Sequence, residues 1–290
     1  MSTHSLGIVD IVRKTPDLPS FAGAALEVMR EANDPNCSAH TVARKLAQDQ
    51  SLAARVLRLA NSSFYGLSRR IADIQEAVVV LGMRSVRDLS IVAATYPWVQ
   101  QSLRGKFMGP SQMWSQALGV ALAGQLVAQR SACKKQEVVF TAGVLHDIGQ
   151  VAMSIHLDNL SAAMLSLALR LNKSIDEVER NMLGYDHTDV GAALAEAWNL
   201  PPDLVRAIAY HHKPNLCLPH CPVVDCVHIG DHLVWRAGVG LGSEGLHSEL
   251  QPEALERLGL STSDLDDMLA NFEERYQSYT GLLEAMEVAA

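Results

Sequence analysis

Apolar residues recur at helical spacing along nearly the whole of this chain. Between residues 51 and 60, for example, Leu52, Val56 and Leu59 fall on one side of a helix. No segment shows the alternation of apolar and polar residues that is typical of a half-buried strand. The pattern therefore predicts an all-α fold, and the residues that suit the N-cap positions of its first helices are Ser20, Ser38, Ser51 and Asp73.

The 290 residues are enough for one large domain or two modest ones. The break from Gly105 to Pro110 separates two long helical stretches, which predicts a subdomain junction there. The alanines and glycines from Ala117 to Ala128 predict a closely packed, central helix in the second half. We therefore expect an N-terminal helical subdomain over residues 1–105, a second helical subdomain over 106–240 and a C-terminal helical tail over 241–290.

Charge and hydropathy argue against two classes of partner. A net charge of −8 disfavours nonspecific binding to nucleic acid, which depends on a basic face. No uninterrupted apolar run reaches the roughly 18 residues of a membrane span. Residues 1–5 carry no basic stretch leading into an apolar one, so no signal peptide is predicted. The expectation is a cytoplasmic protein without membrane or nucleic-acid partners.

A histidine–aspartate pair, His146-Asp147, interrupts an apolar run, since residues 138–145 carry no charge. Polar side chains in such a run either satisfy one another by hydrogen bonds in a core or surround something that they bind. The run predicts a single helix, in which His146 and Asp147 point about 100° apart and reach a common centre from opposite flanks. Imidazole and carboxylate together suit iron, manganese, zinc or nickel. The candidate metal ligands are His146, Asp147, His187, His211, His212 and Asp231.

Three cysteines, Cys217, Cys221 and Cys226, form a second candidate for zinc. Their spacing does not repeat the CxxC of a zinc knuckle, and an odd total of five cysteines argues against a complete disulfide framework. We expect buried free thiols at these positions.

Several separated motifs resemble, in order, those of HDOD domains, the HD-related output domains of bacterial signalling. The match runs from about Thr15 to about Val239, and its motifs are Asp49-Gln50-Ser51-Leu52-Ala53-Ala54-Arg55-Val56-Leu57-Arg58-Leu59-Ala60-Asn61-Ser62, Val80-Leu81-Gly82, Ala142-Gly143-Val144-Leu145-His146-Asp147-Ile148-Gly149, Gly184-Tyr185-Asp186-His187 and Tyr210-His211-His212. The resemblance implies an all-α fold in which an N-terminal helical subdomain packs on an HD-like (HD-domain/PDEase-like) helical subdomain. It also implies a regulatory role more often than a catalytic one, in a degenerate relative of the HD and HD-GYP phosphohydrolases.

Two departures from catalytic relatives bear on activity. Active HD phosphohydrolases supply a further histidine from the helix before the HD pair, and the comparable position here is Gln116. A neutral amide is a poorer ligand than imidazole for a borderline metal. HD-GYP phosphodiesterases follow their histidine doublet with an acidic residue and a GYP turn, whereas here Lys213-Pro214-Asn215 follows. Cyclic-di-GMP hydrolysis is therefore not expected.

Two functional hypotheses follow. The first is a non-catalytic signalling module that acts through contacts with signalling protein partners, with a divalent transition metal or a small ligand in its degenerate pocket. The alternative is a metal-dependent phosphohydrolase that acts on a nucleotide or other phosphoester, with Asp147 as its essential carboxylate. The sequence leaves the partner, the input signal and the oligomeric state open.

Overall fold

A computed structural model of the protein describes residues 6–15, 25, 27–28, 38–104, 109–240 and 249–287. No strand occurs among these residues, and the predicted all-α fold is confirmed. The 3₁₀ turns are Ser63–Tyr65 and Pro214–Leu216. The helices are α1 (Ile8–Lys14), α2 (Ala39–Ala47), α3 (Gln50–Ala60), α4 (Ile74–Leu103), α5 (Pro110–Arg130), α6 (Gln136–Leu145), α7 (Ile148–His156), α8 (Asp158–Leu171), α9 (Ile175–Leu183), α10 (His187–Ala197), α11 (Pro202–Tyr210), α12 (Pro222–Arg236), α13 (Pro252–Leu258) and α14 (Thr262–Glu287).

Side-chain caps explain where several early helices begin. Ser38 and Asp73 each accept a hydrogen bond from the backbone N–H three residues on, so both predicted caps are confirmed. The prediction for Ser51 is wrong, because Asp49 caps α3 in the same way and Ser51 lies inside the first turn. The helix predicted after Ser20 lies outside the described residues.

By their internal packing the residues form two compact units. One contains residues 1–16 and 102–273, and the other contains residues 17–101 and 274–290. The grouping thus divides α4 after Gln101 and joins the first residues of the chain to the later unit. Most of the predicted junction, residues 105–108, lies outside the described part of the chain. The predicted domain bounds at 105/106 and 240/241 stay predictions.

In the smaller unit, Asn61 joins the end of α3 to the segment before α4. Its Nδ2 donates to the carbonyls of Leu57 at 2.8 Å and Ile71 at 2.9 Å, and its Oδ1 accepts from the Ile71 backbone N–H at 2.7 Å. Asn61 therefore has a structural role. Further on, α4 is kinked at Gly82, whose φ of 85° lies in the left-handed region that favours glycine.

The larger unit is built around α5, which packs against α6 and α12 and buries most of its small residues. Glycines bring the helix backbones into contact there. A Cβ on Gly143 would lie 2.5 Å from the Ala121 Cα, and one on Gly230 would lie 2.7 Å from the Gly124 backbone nitrogen. The helix predicted from small residues between Ala117 and Ala128 is therefore central in this unit. This close packing fixes the positions of α6 and α12, which carry or flank candidate ligands.

Residues Val138–His156 are long and apolar enough to pass a test for a membrane span, with 83% of the window buried inside the protein. Two helices, α6 and α7, share this window, and they are separated by a turn at His146-Asp147. A mostly buried segment of this kind is weak evidence for a span, since core helices pass the same test. We assign it to the core of the larger unit.

Candidate metal centre

The His146-Asp147 pair lies in the turn between α6 and α7 rather than within one helix. The expectation of a single helix here is wrong, because both helices are mostly buried and the apolar pattern therefore runs on through the break. The turn directs the pair against α10 and α11, whose ends carry His187 and His211. Asp147 lies within 3.5 Å of a nitrogen from each of His146, His187 and His211.

The imidazoles of His146 and His211 are oriented by backbone carbonyls. Nδ1 of His146 donates to the Gly143 carbonyl at 2.7 Å, and Nδ1 of His211 donates to the Ile208 carbonyl at 3.0 Å. Since a carbonyl oxygen only accepts, Nδ1 of each ring carries a proton. The remaining nitrogen, Nε2, therefore faces Asp147 in both residues, at 3.1 Å for His146 and 3.5 Å for His211.

His187 is oriented by a carboxylate that the sequence did not single out. Oε2 of Glu179 accepts hydrogen bonds from the His187 Nδ1 at 2.6 Å and from the His187 backbone N–H at 2.9 Å. Both residues are 1% exposed. A carboxylate bonded to one ring nitrogen fixes the ring and makes the other nitrogen a stronger ligand. Here that nitrogen, Nε2, lies 3.4 Å from Asp147 Oδ1 and 3.0 Å from Nε2 of His212.

Four of the candidate ligands form one compact set, which we call the three-histidine site: Asp147, His187, His211 and His212. Each contributes one donor atom, and these atoms all lie within 4.8 Å of one another. In a tetrahedral zinc site with bonds near 2.0–2.1 Å, neighbouring ligand atoms are roughly 3.3 Å apart. Three of the six separations, at 3.0, 3.4 and 3.5 Å, are close to that value.

An unpartnered buried nitrogen supports the same interpretation. Nε2 of His211 is fully buried and has no hydrogen-bond partner. A buried polar atom without a partner typically costs about 1–3 kcal/mol. A divalent cation held by the three-histidine site would bind this nitrogen and remove that cost. The residues present therefore fit a metal ion.

The other candidates form a second set around the same aspartate, which we call the Gln116 site: Gln116, His146, Asp147 and Asp231. Nε2 of Gln116 donates to Asp231 Oδ1 at 2.6 Å, and the same oxygen lies 3.9 Å from His146 Nε2. Oε1 of Gln116, which is the only amide atom able to bind a metal, is buried and has no hydrogen-bond partner. At position 116, where a histidine would bind a metal ion, the amide instead forms a hydrogen bond to Asp231.

Burial and neighbouring charges shift the pKa values of this cluster in opposite directions. Burial disfavours the charged form of His187, yet the Glu179 carboxylate outweighs it and raises the pKa of His187 to about 10. Burial also opposes ionisation of Asp147, but the adjacent His146 and its other histidine neighbours hold the pKa of Asp147 well below its usual value. For His212, burial and the charges of His211 and His187 lower the pKa well below the usual value. Asp147 is thus ionised, His187 is protonated and His212 presents a neutral ring, so a cation that binds Nε2 of His187 displaces its proton.

Glu179 could have been found by its position on α9. Ile175 and Val178 form the buried side of that helix, and Glu179 lies on the same side. A carboxylate on the buried side of an amphipathic helix indicates a partner inside the protein. A further buried histidine, His228, donates from Nδ1 to the His211 carbonyl at 2.7 Å and thereby supports the chain beside the doublet.

The cysteine cluster contributes no ligand set. Cys217, Cys221 and Cys226 are buried and free, and burial raises the pKa of Cys217 and Cys221. Among the described residues, no cysteine belongs to a group of three or more potential metal ligands. Their thiols therefore belong to the core.

Comparison with known proteins places this arrangement in a family. The family model for the HDOD domain matches residues 18–214. A structure from Shewanella amazonensis SB2B, described as a "Putative phosphohydrolase", is 26% identical, with a TM-score of 0.71 and coverage of 97% of this chain and 100% of that one. A Geobacter sulfurreducens HDOD domain protein of unknown function is 24% identical, with a TM-score of 0.71 and coverage of 96% of each chain, and it shows the same fold.

Among curated proteins, an uncharacterized protein of Treponema pallidum (strain Nichols) is 27% identical over 222 residues. The alignment covers 73% of this chain but only 40% of the Treponema protein, so this chain spans less than half the length of that relative. Because the HDOD model covers more than half of the chain, and the HD pair lies in an all-α unit of the same fold, the chain belongs to the HDOD domain family.

Proposed function

We propose that this protein is a non-catalytic signalling module that holds one divalent transition metal at the three-histidine site and acts through contacts with other signalling proteins. The observation that carries the proposal is the hydrogen bond of 2.6 Å from Gln116 Nε2 to Asp231. In this bond Asp231 accepts from an amide N–H. In an active HD site the corresponding aspartate would bind a metal ion. A cytoplasmic location and the absence of membrane partners are parts of the same proposal.

The two sets of residues differ in what they offer a cation. The three-histidine site offers three imidazole nitrogens and one carboxylate oxygen, which suit zinc, iron, manganese or nickel. The Gln116 site offers an N–H donor in place of a lone pair, and turning the amide over to present Oε1 would break its bond to Asp231. This chemistry supports one metal rather than two.

A bound metal would supply Lewis acidity beside Asp147. The reaction that such a metal could assist depends on the residues that orient its ligands. His187 is held in place by Glu179, and His211 is held by a backbone carbonyl, so these two ligands are fixed in advance. Since Asp231 accepts a hydrogen bond from Gln116 and His146 faces Asp147, these residues would hold a second cation poorly, and two cations are what would position an attacking group and a leaving group together. This favours a structural or regulatory role for the metal.

The alternative, a metal-dependent phosphohydrolase acting on a nucleotide or other phosphoester, is favoured by the intact three-histidine site. It is tested by metal analysis of protein purified without an affinity tag, followed by a screen of phosphoester substrates with added manganese, iron, zinc or nickel. We expect about one metal ion per chain and no turnover above that of the Asp147→Ala variant. Turnover that Asp147→Ala abolishes would establish the enzyme and overturn the non-catalytic proposal.

Partner contacts are tested by capture from the native bacterium with the parent protein, His146→Ala and Asp147→Ala. If the metal orders the binding surface, Asp147→Ala should lose partners that the parent retains. His146→Ala removes no donor atom of the three-histidine site and should keep them. Loss of the same partners from both variants would show that metal at the three-histidine site does not control binding.

Restoring a histidine at position 116 should change the number of metal ions bound. In Gln116→His an imidazole replaces the amide beside Asp231, so we expect a second equivalent of metal to bind at the Gln116 site with little gain in hydrolysis. Calorimetric titration with zinc or manganese measures both stoichiometry and affinity.

The matched control for this titration is Gln125→His. Position 125 lies nine residues along α5, on the opposite side of the helix, and should leave the stoichiometry of the parent unchanged. Equal stoichiometry for Gln116→His and the parent would show that the Gln116 site has lost the geometry of a metal site.

A further inference from the structure

One ligand of the three-histidine site, His212, lines a polar cavity whose walls carry charged residues. His187 and His211 are 1% and 0% exposed, whereas His212 lines an open cavity of about 410 Å³. Asp176 and Lys213 line the same cavity. These two side chains therefore share a cavity with one ligand of the site.

Asp176 and Lys213 form an ion pair in that cavity. Nζ of Lys213 donates to Asp176 Oδ2 at 2.8 Å, where the aspartate side chain is 4% exposed and the lysine side chain is 42% exposed. Asp176 lies one helical turn before Glu179 on α9, so this helix directs two carboxylates towards the cluster. Glu179 is used in orienting His187, while Asp176 is neutralised by a lysine that follows directly after a ligand.

We propose that Lys213 restrains the metal affinity of the three-histidine site by neutralising Asp176, so that this ion pair sets how tightly the site holds a divalent cation. The inference rests on the proposed function, since it concerns the same site. A buried carboxylate near the ligands attracts a cation, and an ammonium beside it repels the cation. Both effects are larger in a partly buried site than in water. Removal of the ammonium leaves the carboxylate charge uncompensated and favours the metal.

A second lysine in the same cavity provides the matched control. Lys173 donates from Nζ to Glu177 Oε1 at 3.1 Å, and its side chain is 43% exposed. It lines the same cavity as Lys213 but pairs with a carboxylate that is itself half exposed. A nonspecific effect of removing positive charge from the cavity would appear equally in Lys173→Met and Lys213→Met.

The experiment is a calorimetric titration of the full chain with zinc and with manganese. We expect Lys213→Met to bind metal on the order of tenfold more tightly than the parent, at the lower end of the range measured for groups that act through ligands. Lys213→Arg, which keeps the charge, and Lys173→Met should both match the parent. Equal affinity for Lys213→Met and the parent would overturn the inference while leaving the proposed metal site intact.

Variants of Asp176 test whether Lys213 acts on metal affinity through the Asp176 carboxylate. Asp176→Asn should weaken binding in the parent, and the double variant Asp176→Asn/Lys213→Met should lose the gain of Lys213→Met. A gain that persists in the double variant would overturn the role of Asp176. Binding by Lys213→Met alone would support the inference and contradict metal occupancy in the parent protein. If neither the parent nor Lys213→Met binds zinc or manganese, the inference and the proposed function are overturned together. Circular dichroism spectra of each variant establish that it is folded.

Discussion

Replacing Asp147 with alanine is expected to reduce metal affinity at least about 100-fold, because this one carboxylate belongs to both candidate sites. Its carboxylate oxygens lie 3.1 Å from Nε2 of His146, 3.4 Å from Nε2 of His187 and 3.5 Å from Nε2 of His211. Changes in residues that only support ligands typically lower affinity by about 10–100-fold, and loss of a ligand should exceed that. Calorimetry of the parent and variant proteins with zinc measures the change.

Two further variants separate loss of a ligand from loss of structure. Asp147→Asn keeps the shape of the side chain but removes its charge, and it should also bind metal poorly. Asp158→Ala removes a carboxylate at the start of α8, outside both sites, and should bind as the parent does. Unchanged affinity in Asp147→Ala would show that Asp147 is not a ligand and that the metal binds elsewhere.

The helical content and the residues of the cluster could be predicted because each leaves a local trace in the sequence. The spacing of apolar residues predicted the all-α fold, because the helical period of 3.6 residues is visible within a single short segment. The histidines and aspartates of the cluster stand out because polar residues are rare in buried helices. The structure brings His146, Asp147, His187, His211, His212 and Asp231 together, and their role as metal ligands stays a proposal.

The division of these residues into two sites could not be predicted, because it depends on contacts between distant segments. The sequence shows glutamine in place of histidine at position 116, but not that its N–H rather than its carbonyl faces Asp231. Glu179 can be recognised in the sequence as a carboxylate on the buried side of a helix, but the structure is needed to show that His187 is its partner. Likewise, the sequence places Lys213 directly after the doublet but does not show that its ammonium is bound to Asp176.

The largest loss of stability is expected from Gly149→Ala, at the start of α7. A Cβ there would lie 1.9 Å from the His187 carbonyl oxygen and 2.6 Å from the Gly191 backbone nitrogen, both closer than any real contact. Since the clash is with backbone, no side-chain rotation relieves it, and α7 and α10 must move apart. Overpacked cores typically lose 1–3 kcal/mol, and we expect a loss of about 3 kcal/mol or more in the free energy of unfolding.

Urea unfolding of Gly149→Ala measures this loss, and Gly119→Ala is the matched control. At Gly119 the nearest atoms to an added Cβ are methyl carbons of Val234 at 3.1 and 3.2 Å, which can shift by a few tenths of an ångström, so a smaller loss is expected. In Gly149→Ala the separation of α7 and α10 also moves His187 away from Asp147. This variant should therefore bind metal more weakly than Gly119→Ala. Equal unfolding free energies for the two variants would show that α7 and α10 are not held at the separation described here.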